Sequence, residues 1–173
     1  MKIRENIVIR RFVRLEGTLA SYVHNGGSIG VLVKLDTDIN NDAVLTVGKD
    51  VAMQSAALNP AYMDRTQVPA EVIEKEKEIM MAQMAEDPKM ANKPEQVRAK
   101  IVEGKVGKYY KENCLLEQAF VKDDKVSVSE YVAAEAKKLG GNIGVVDVIR
   151  FERGEGVEKK EENFADEIAS MIK

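Results

Sequence analysis

The stretch from Arg10 to Asp36 constrains the fold of this chain more than any other. Leu19, Ser21 and Val23 alternate with Ala20, Tyr22 and His24, and beyond Asn25-Gly26-Gly27 the residues Ile29, Val31, Val33 and Leu35 alternate with Gly30, Leu32, Lys34 and Asp36. A period of two residues is that of a strand with one face turned to a core. Asn and Gly tolerate the positive φ that a tight reversal demands, so pattern and turn chemistry together place a β-hairpin here. Ahead of it, Ile7, Ile9, Val13 and Leu15 alternate with Val8, Arg10, Phe12 and Arg14, with Arg11 as the misfit. This run, bent away at Gly17, is expected to be the first strand of a three-stranded meander, because two strands alone are marginal.

A chain of 173 residues fits one domain, or one domain with an appendage, and can bury a real core. Aromatic residues are 5% and Trp is absent, so that core must be built from Val, Ile, Leu, Met and Ala. Charged residues make up 32% and nearly cancel, to a net charge of -3, which gives no electrostatic case for binding nucleic acid. No apolar run approaches the ~20 residues needed to cross a bilayer, and the opening Met-Lys-Ile-Arg-Glu-Asn lacks the apolar centre of a signal peptide. A cytoplasmic protein is expected, and the lone Cys114 suits a reducing compartment.

Asn40-Asn41-Asp42 supplies helix-capping side chains, and Val44, Val47, Val51, Ser55 and Leu58 follow at helical spacing until Asn59-Pro60. Gly48, Ala52, Ala56 and Ala57 give this helix a smooth side that can lie close to a sheet. After Pro60 the composition changes. Pro69 to Glu86 reads as a charged helix stopped by Asp87-Pro88, and a second helix starts near Asn92-Lys93-Pro94 and runs to about Asn113. Two such helices joined by a few residues fold back as an antiparallel hairpin. At ~1.5 Å per residue each arm reaches ~27 Å or more. Its apolar residues form one narrow stripe, Val72, Ile79 and Met80 on one arm and Val97, Ile101 and Val106 on the other, so the hairpin is expected to project. Gly104 and Gly107 stand where close approach or loosening of the arms is expected.

Past an irregular apolar segment from Cys114 to Asp124, Ser127-Val128-Ser129-Glu130 matches a capping box, and its helix ends at Gly140-Gly141. Ile143 to Glu152 is strand-like in its β-branched content and can add a strand beside the meander. Phe164, Ile168, Met171 and Ile172 mark one face of a terminal helix. The expected class is therefore α+β: a small antiparallel sheet covered by helices, with a projecting helical hairpin. Its parts are a core sheet and helix over 1–68, the hairpin over 69–113, the rest of the core over 114–160 and the C-terminal helix over 161–173.

No constellation points to an enzyme. Gly26-Gly27, Gly140-Gly141 and Gly154-Glu155-Gly156 lack the spacing and the following Lys-Ser/Thr of a phosphate loop and read as turns. Asp123-Asp124 lies in an expected loop with no acid placed opposite. One His and one Cys are too few for a structural zinc site, and a lone Cys is ordinarily a small apolar packing residue. No catalytic residue, metal or cofactor is expected. A projecting hairpin that buries little of its own surface favours a binding protein.

The residues carry a resemblance. Asn6-Ile7 with Arg10-Arg11, Leu15-Glu16-Gly17, Ser21-Tyr22-Val23-His24, Ile29-Gly30-Val31-Leu32-Val33, Asp50-Val51-Ala52-Met53-Gln54, Asn59-Pro60, Val68-Pro69-Ala70-Glu71-Val72-Ile73-Glu74-Lys75-Glu76, Ile101-Val102-Glu103-Gly104-Lys105, Leu115-Leu116-Glu117-Gln118 with Phe120-Val121, and Ile149-Arg150-Phe151-Glu152-Arg153-Gly154-Glu155-Gly156 stand in one order across nearly the whole chain. This series resembles the translation elongation factor Ts family. The resemblance implies a guanine-nucleotide exchange factor of the GTPase elongation factor Tu. It implies that the core sheet and the segment from Gln118 to Lys122 face the partner, with contacts at Tyr22 and His24, at Phe120, Val121 and Lys122, and, in a C-terminal module, at Phe164, Ile168 and Ile172. It also implies a possible homodimer, and the rival reading is an assembly module without exchange activity.

Two departures qualify what the resemblance implies. The family's amino-terminal helical module and its Thr-Asp-Phe-Val motif do not occur in these residues, so a carboxy-terminal core fragment with reduced activity is expected. Ala119 stands where the family usually has Pro, which is expected to leave the following loop less rigid.

Overall fold

The computed structural model describes residues 8–157. The expected terminal helix with Phe164, Ile168 and Ile172 lies outside the described residues. In chain order the elements are β1 (Thr18–His24), β2 (Ile29–Thr37), α1 (Ala43–Leu58), α2 (Ala70–Glu86), α3 (Pro88–Ala91), α4 (Glu95–Asn113), β3 (Ala119–Phe120), β4 (Asp123–Ser127), α5 (Val128–Leu139) and β5 (Ile143–Glu152). The class is α+β, as the residue pattern indicates. Among the described residues no helix is long and apolar enough to cross a membrane.

The expected hairpin forms, with Ala20 opposite Val33 and Tyr22 opposite Val31. Asn25, Gly26 and Gly27 carry φ values of 47°, 62° and 93°, the left-handed region these residue types tolerate. Ala20, Val31, Val33 and Leu35 are buried on one face. The third strand differs from expectation. Residues 8–16 form no strand at the β1 edge, where the meander was expected to begin, while Ile143–Glu152 adds its strand as its β-branched content suggested: β5 lies beside β2, antiparallel to it, in the order β1-β2-β5. The physical reason lies in the side chains. The alternation of residues 8–15 sets apolar and charged groups on both sides, and Val8, Ile9 and Phe12 remain exposed. The segment is held by side chains instead of a ladder: Arg11 pairs with Glu155 and lies 4.2 Å over the centroid of the Phe151 ring.

Helix α1 begins with the Asn41 side chain accepting the Ala43 N–H at 2.9 Å and ends at Asn59, whose φ of 45° turns the chain out before Pro60. Its face of Val44, Val47, Gly48, Val51, Ala52 and Ala56 is buried in a core shared with β2, Leu115, Phe120, Val128 and Val132. A Cβ on Gly48 would come within 2.6 Å of the Ala20 Cβ and 2.9 Å of Leu35 Cδ1, so helix and sheet touch at a point where only hydrogen fits. Helix α5 closes the same core. Its capping box is complete, with the Ser127 hydroxyl accepting the Glu130 N–H at 3.2 Å and the Glu130 carboxylate accepting the Ser127 N–H at 2.7 Å. That backbone hydrogen bond holds the Glu130 carboxyl below its ordinary pKa.

The two long helices α2 and α4 pack on each other, and the connection between them forms the short helix α3, started by the Asp87 side chain accepting the Lys89 N–H at 2.9 Å. Their seam is a second core made of Val68, Ile73, Met84, Val102, Val106 and Cys114, sharing no residue with the first. The stripe differs in part from the expected one. Val106 is buried, and Val72, Met80 and Ile101 pack half-buried against the seam, but Ile79 and Val97 are exposed, and the most buried places go to Ile73, Met84 and Val102. The seam is wider than one stripe: both members of the adjacent apolar pairs at 72–73 and 101–102 contribute, and Tyr62, Tyr109 and Tyr110 join it. Gly104 and Gly107 are not close-approach points, because a Cβ on either meets nothing within 4 Å.

At that base the chain leaves and returns side by side. The Tyr62 N–H donates to the Asn113 carbonyl at 3.1 Å, the Leu115 N–H to the Tyr62 carbonyl at 2.9 Å and the Leu116 N–H to the Met63 carbonyl at 3.0 Å. Cys114 sits in this clasp fully buried, and burial pushes its thiol up to about 11, so it behaves as the packing residue expected of a lone cysteine.

The glycines separate by environment, and substitution should show it. Gly48→Ala is expected to lower stability by about 1–3 kcal/mol through overpacking. Gly104→Ala, in the open on a helix, is expected to raise it by about 0.5–1 kcal/mol. Urea unfolding midpoints of the two variants check both signs.

Candidate functional site

The segment that was expected to be irregular, with Asp123-Asp124 in a loop, is a small β-hairpin. Ala119 pairs with Ser127 and Phe120 with Asp123, leaving Val121 and Lys122 at the tip. The tip is built from the inside. Phe120 is only 3% exposed, and its ring stacks on Tyr131 of α5 with centroids 4.1 Å apart and planes at 17°. Such a pair contributes about 0.5–1.5 kcal/mol beyond the area it buries. The next side chain points out, with Val121 42% exposed, and Lys122 is about half exposed.

Two polar residues of α1 support this tip. Gln54, with no exposed surface, accepts the Val121 N–H at 2.8 Å through its amide oxygen and donates through Nε2 to the Ala119 carbonyl at 3.0 Å and to Gln118 Oε1 at 3.1 Å. Gln118 is buried too and donates to the Glu112 carbonyl at 2.9 Å, which ties the tip to the end of α4. One turn earlier, Asp50 takes the Lys122 ammonium at 2.5 Å on one oxygen and the Tyr131 hydroxyl at 2.7 Å on the other. Burial, reinforced by the Asp50 carboxylate, raises the Tyr131 phenol well above its ordinary pKa, so it stays a donor. Ala119 leaves the tip without a proline, and the amide of Gln54 holds its carbonyl from below.

The other residues expected at a contact lie at the rim of the first hairpin. His24 is exposed, and the Tyr22 hydroxyl lies 3.1 Å from its Nδ1. Tyr22 itself is half-buried and reaches the main core. Among the described residues no hydrogen bond links this rim to Gln118–Lys122. The structure therefore presents two separate surface features, and Phe164, Ile168 and Ile172 lie outside the described residues. Phe120 faces inward and supports the tip from beneath.

Sequence reasoning gave Asp50, Gln54 and Tyr131 no role of their own and set Gln118 in the partner-facing segment, whereas Gln118 is buried and faces inward. The available signal was a pair of polar residues four apart, Asp50 and Gln54, on either side of Val51-Ala52-Met53. Helical spacing puts both on one side, where an amide or carboxylate needs partners if it is buried.

An α+β core that carries a two-helix arm and a surface tip propped from within is a scaffold with the order of elements this chain's motifs imply. The family model for elongation factor Ts matches residues 1–155. The chain is 47% identical over 174 residues to elongation factor Ts of Clostridium kluyveri, covering 99% of this chain and 56% of that protein. It is 48% identical to the one of Clostridioides difficile with the same coverage, and 48% identical over 178 residues to the one of a Nitratiruptor species, covering 99% of this chain and 57% of that protein. The chain belongs to the elongation factor Ts family and spans a little over half the length of these relatives.

The two neighbouring residues of the tip should respond to truncation very differently. Phe120→Ala is expected to cost about 3 kcal/mol of folding stability or more, and Val121→Ala no more than about 0.5 kcal/mol. Chemical denaturation of each variant, read by circular dichroism, distinguishes them.

Proposed function

We propose that this chain binds the GTPase elongation factor Tu and promotes release of its GDP, acting as a guanine-nucleotide exchange factor and carrying out no chemistry on a substrate. The observation that carries the reading is membership of the elongation factor Ts family along 155 matched residues. The geometry supports it: Val121 and Lys122 stand out from a tip whose backbone is anchored in the core, and His24 stands exposed beside Tyr22 on the other hairpin. Phe164, Ile168 and Ile172 complete the contact set in this reading. Such a role places the chain in the cytoplasm with the translation machinery.

Exchange requires that the factor favour the nucleotide-free GTPase over the GDP-bound one, since a ligand shifts an equilibrium only by its differential affinity. The Thr-Asp-Phe-Val motif does not occur in these 173 residues. The proposal is therefore that this chain binds the GTPase and speeds GDP release less than the longer relatives do. Mixing it with elongation factor Tu carrying fluorescent GDP should give release faster than the spontaneous rate and slower than with a longer relative. Release unchanged by any concentration of the chain overturns the exchange reading. His24→Ala is expected to weaken binding by about 1 kcal/mol or more while leaving the unfolding midpoint in place; an unfolded variant assigns His24 to the fold instead.

A second reading, a homodimer, is favoured by the sheet. Opposite α1, an apolar hollow of about 280 Å³ is lined by Val13, Val23, Leu32, Ile149 and Phe151, and Val23 is 67% exposed. Two such faces stacked would bury one another. Sedimentation of the chain alone is expected to show twice the single-chain mass, and Val23→Asp to return it to one; a single-chain mass at high concentration removes this reading.

A further inference from the structure

Asp50 and Gln54 are polar residues on one side of a helix whose other side is pressed against the sheet, and each reaches the tip from beneath. The tip itself, Ala119-Phe120-Val121-Lys122-Asp123, contains no proline to fix its backbone. We infer that Gln54 and Asp50 are positioning residues for partner binding, holding Val121 and Lys122 in their contact geometry before the GTPase arrives. The inference rests on the proposed function, in which this tip meets the GTPase.

The chemistry of each residue fits the task. A peptide segment offers an N–H and a carbonyl, and a primary amide is the side chain that satisfies both at once. Gln54 does so, accepting from the Val121 N–H and donating to the Ala119 carbonyl, so the two peptide groups flanking Phe120 are fixed by one side chain. Because Gln54 has no exposed surface, the amide cannot exchange these partners for water without opening the core. Asp50 directs the Lys122 ammonium, and Tyr131 occupies its second oxygen so that the carboxylate cannot rotate away. Lysine carries three donors, and the half-exposed ammonium keeps donors free for an acceptor on the partner. A contact loop ordered in advance spares the complex the entropy of ordering it, which appears directly as affinity.

The test compares three variants of the whole chain for binding to elongation factor Tu and for amide hydrogen exchange. Gln54→Met keeps the volume and removes all three of its hydrogen bonds, to the Val121 N–H, the Ala119 carbonyl and Gln118. It is expected to speed exchange at Val121 at least tenfold, leave Val33 in the sheet unchanged, and weaken binding about tenfold. Asp50→Asn keeps an acceptor for Tyr131 and removes the charge that holds Lys122; it is expected to weaken binding about threefold at low salt, and it decides the matter if Gln54→Met does not fold. Val121→Asp tests the underlying reading. If it binds normally, the tip is not the contact and the positioning inference falls with it, whereas the exchange reading is decided separately by GDP release. If Val121→Asp abolishes binding while the folded Gln54→Met and Asp50→Asn chains bind as the parent does, the contact stands and the positioning inference is overturned. A lowered melting temperature with unchanged affinity counts against it in the same way.

Discussion

The contact between Gly48 and the first hairpin is the constraint on which the rest of the molecule depends. Without a side chain at that position, α1 lies directly on Ala20 and Leu35, and its rotation about its own axis is set by that contact. Once one face is committed to the sheet, the residues four apart on another face, Asp50 and Gln54, have only one place to point. They point at the β3–β4 tip and at α5, and the amide and carboxylate find partners there. A close helix–sheet contact thus determines how a surface turn two elements away is held. Interiors transmit shape in this way because they are close-packed and cannot absorb a displaced atom.

The two cores divide the labour. The first joins the sheet to α1 and α5 and contains the residues that hold the tip, whereas the second runs along the seam of the helical arm and is made from different residues. The first is dense in β-branched side chains with few rotamers, which suits a surface that must keep one shape. The second draws on Met80, Met81, Met84 and Met90, unbranched side chains that fill irregular gaps between helices.

Much of this was legible in the chain itself. The β1–β2 hairpin, the caps of α1 and α5 and the two long helices follow from local chemistry: left-handed turn residues, capping side chains and helical spacing, each confined to a few neighbouring positions. What local chemistry cannot decide is which strand-like segments join the hairpin, and at which edge. Residues 8–16 and 143–152 both alternate or are rich in β-branched residues, and the choice rests on a pairing between segments more than a hundred residues apart. The helical seam was partly legible: Val72, Met80, Ile101 and Val106 lie on it as the spacing indicates, but their neighbours Ile73 and Val102 are buried too, and spacing alone does not show that both members of a pair can pack. The supports of the tip were the least legible part. Gln54 and Gln118 are ordinary surface residue types until the fold buries them, and the β3–β4 strands are too short to leave a period. The family resemblance, by contrast, was readable from the serial order of motifs, which needs no knowledge of packing.

The clasp at Tyr62, Asn113 and Leu115 has an architectural consequence. The arm departs from and returns to the core at adjoining backbone positions, joined by three main-chain hydrogen bonds, so everything between them is a closed excursion. Its length is not set by the distance between any two parts of the core. Whole helical turns can be inserted or deleted symmetrically in α2 and α4 while the sheet, the tip and their separation stay as they are. The arm is therefore a segment on which reach can be varied independently of the surface that carries the proposed contacts, a modular extension on an invariant socket.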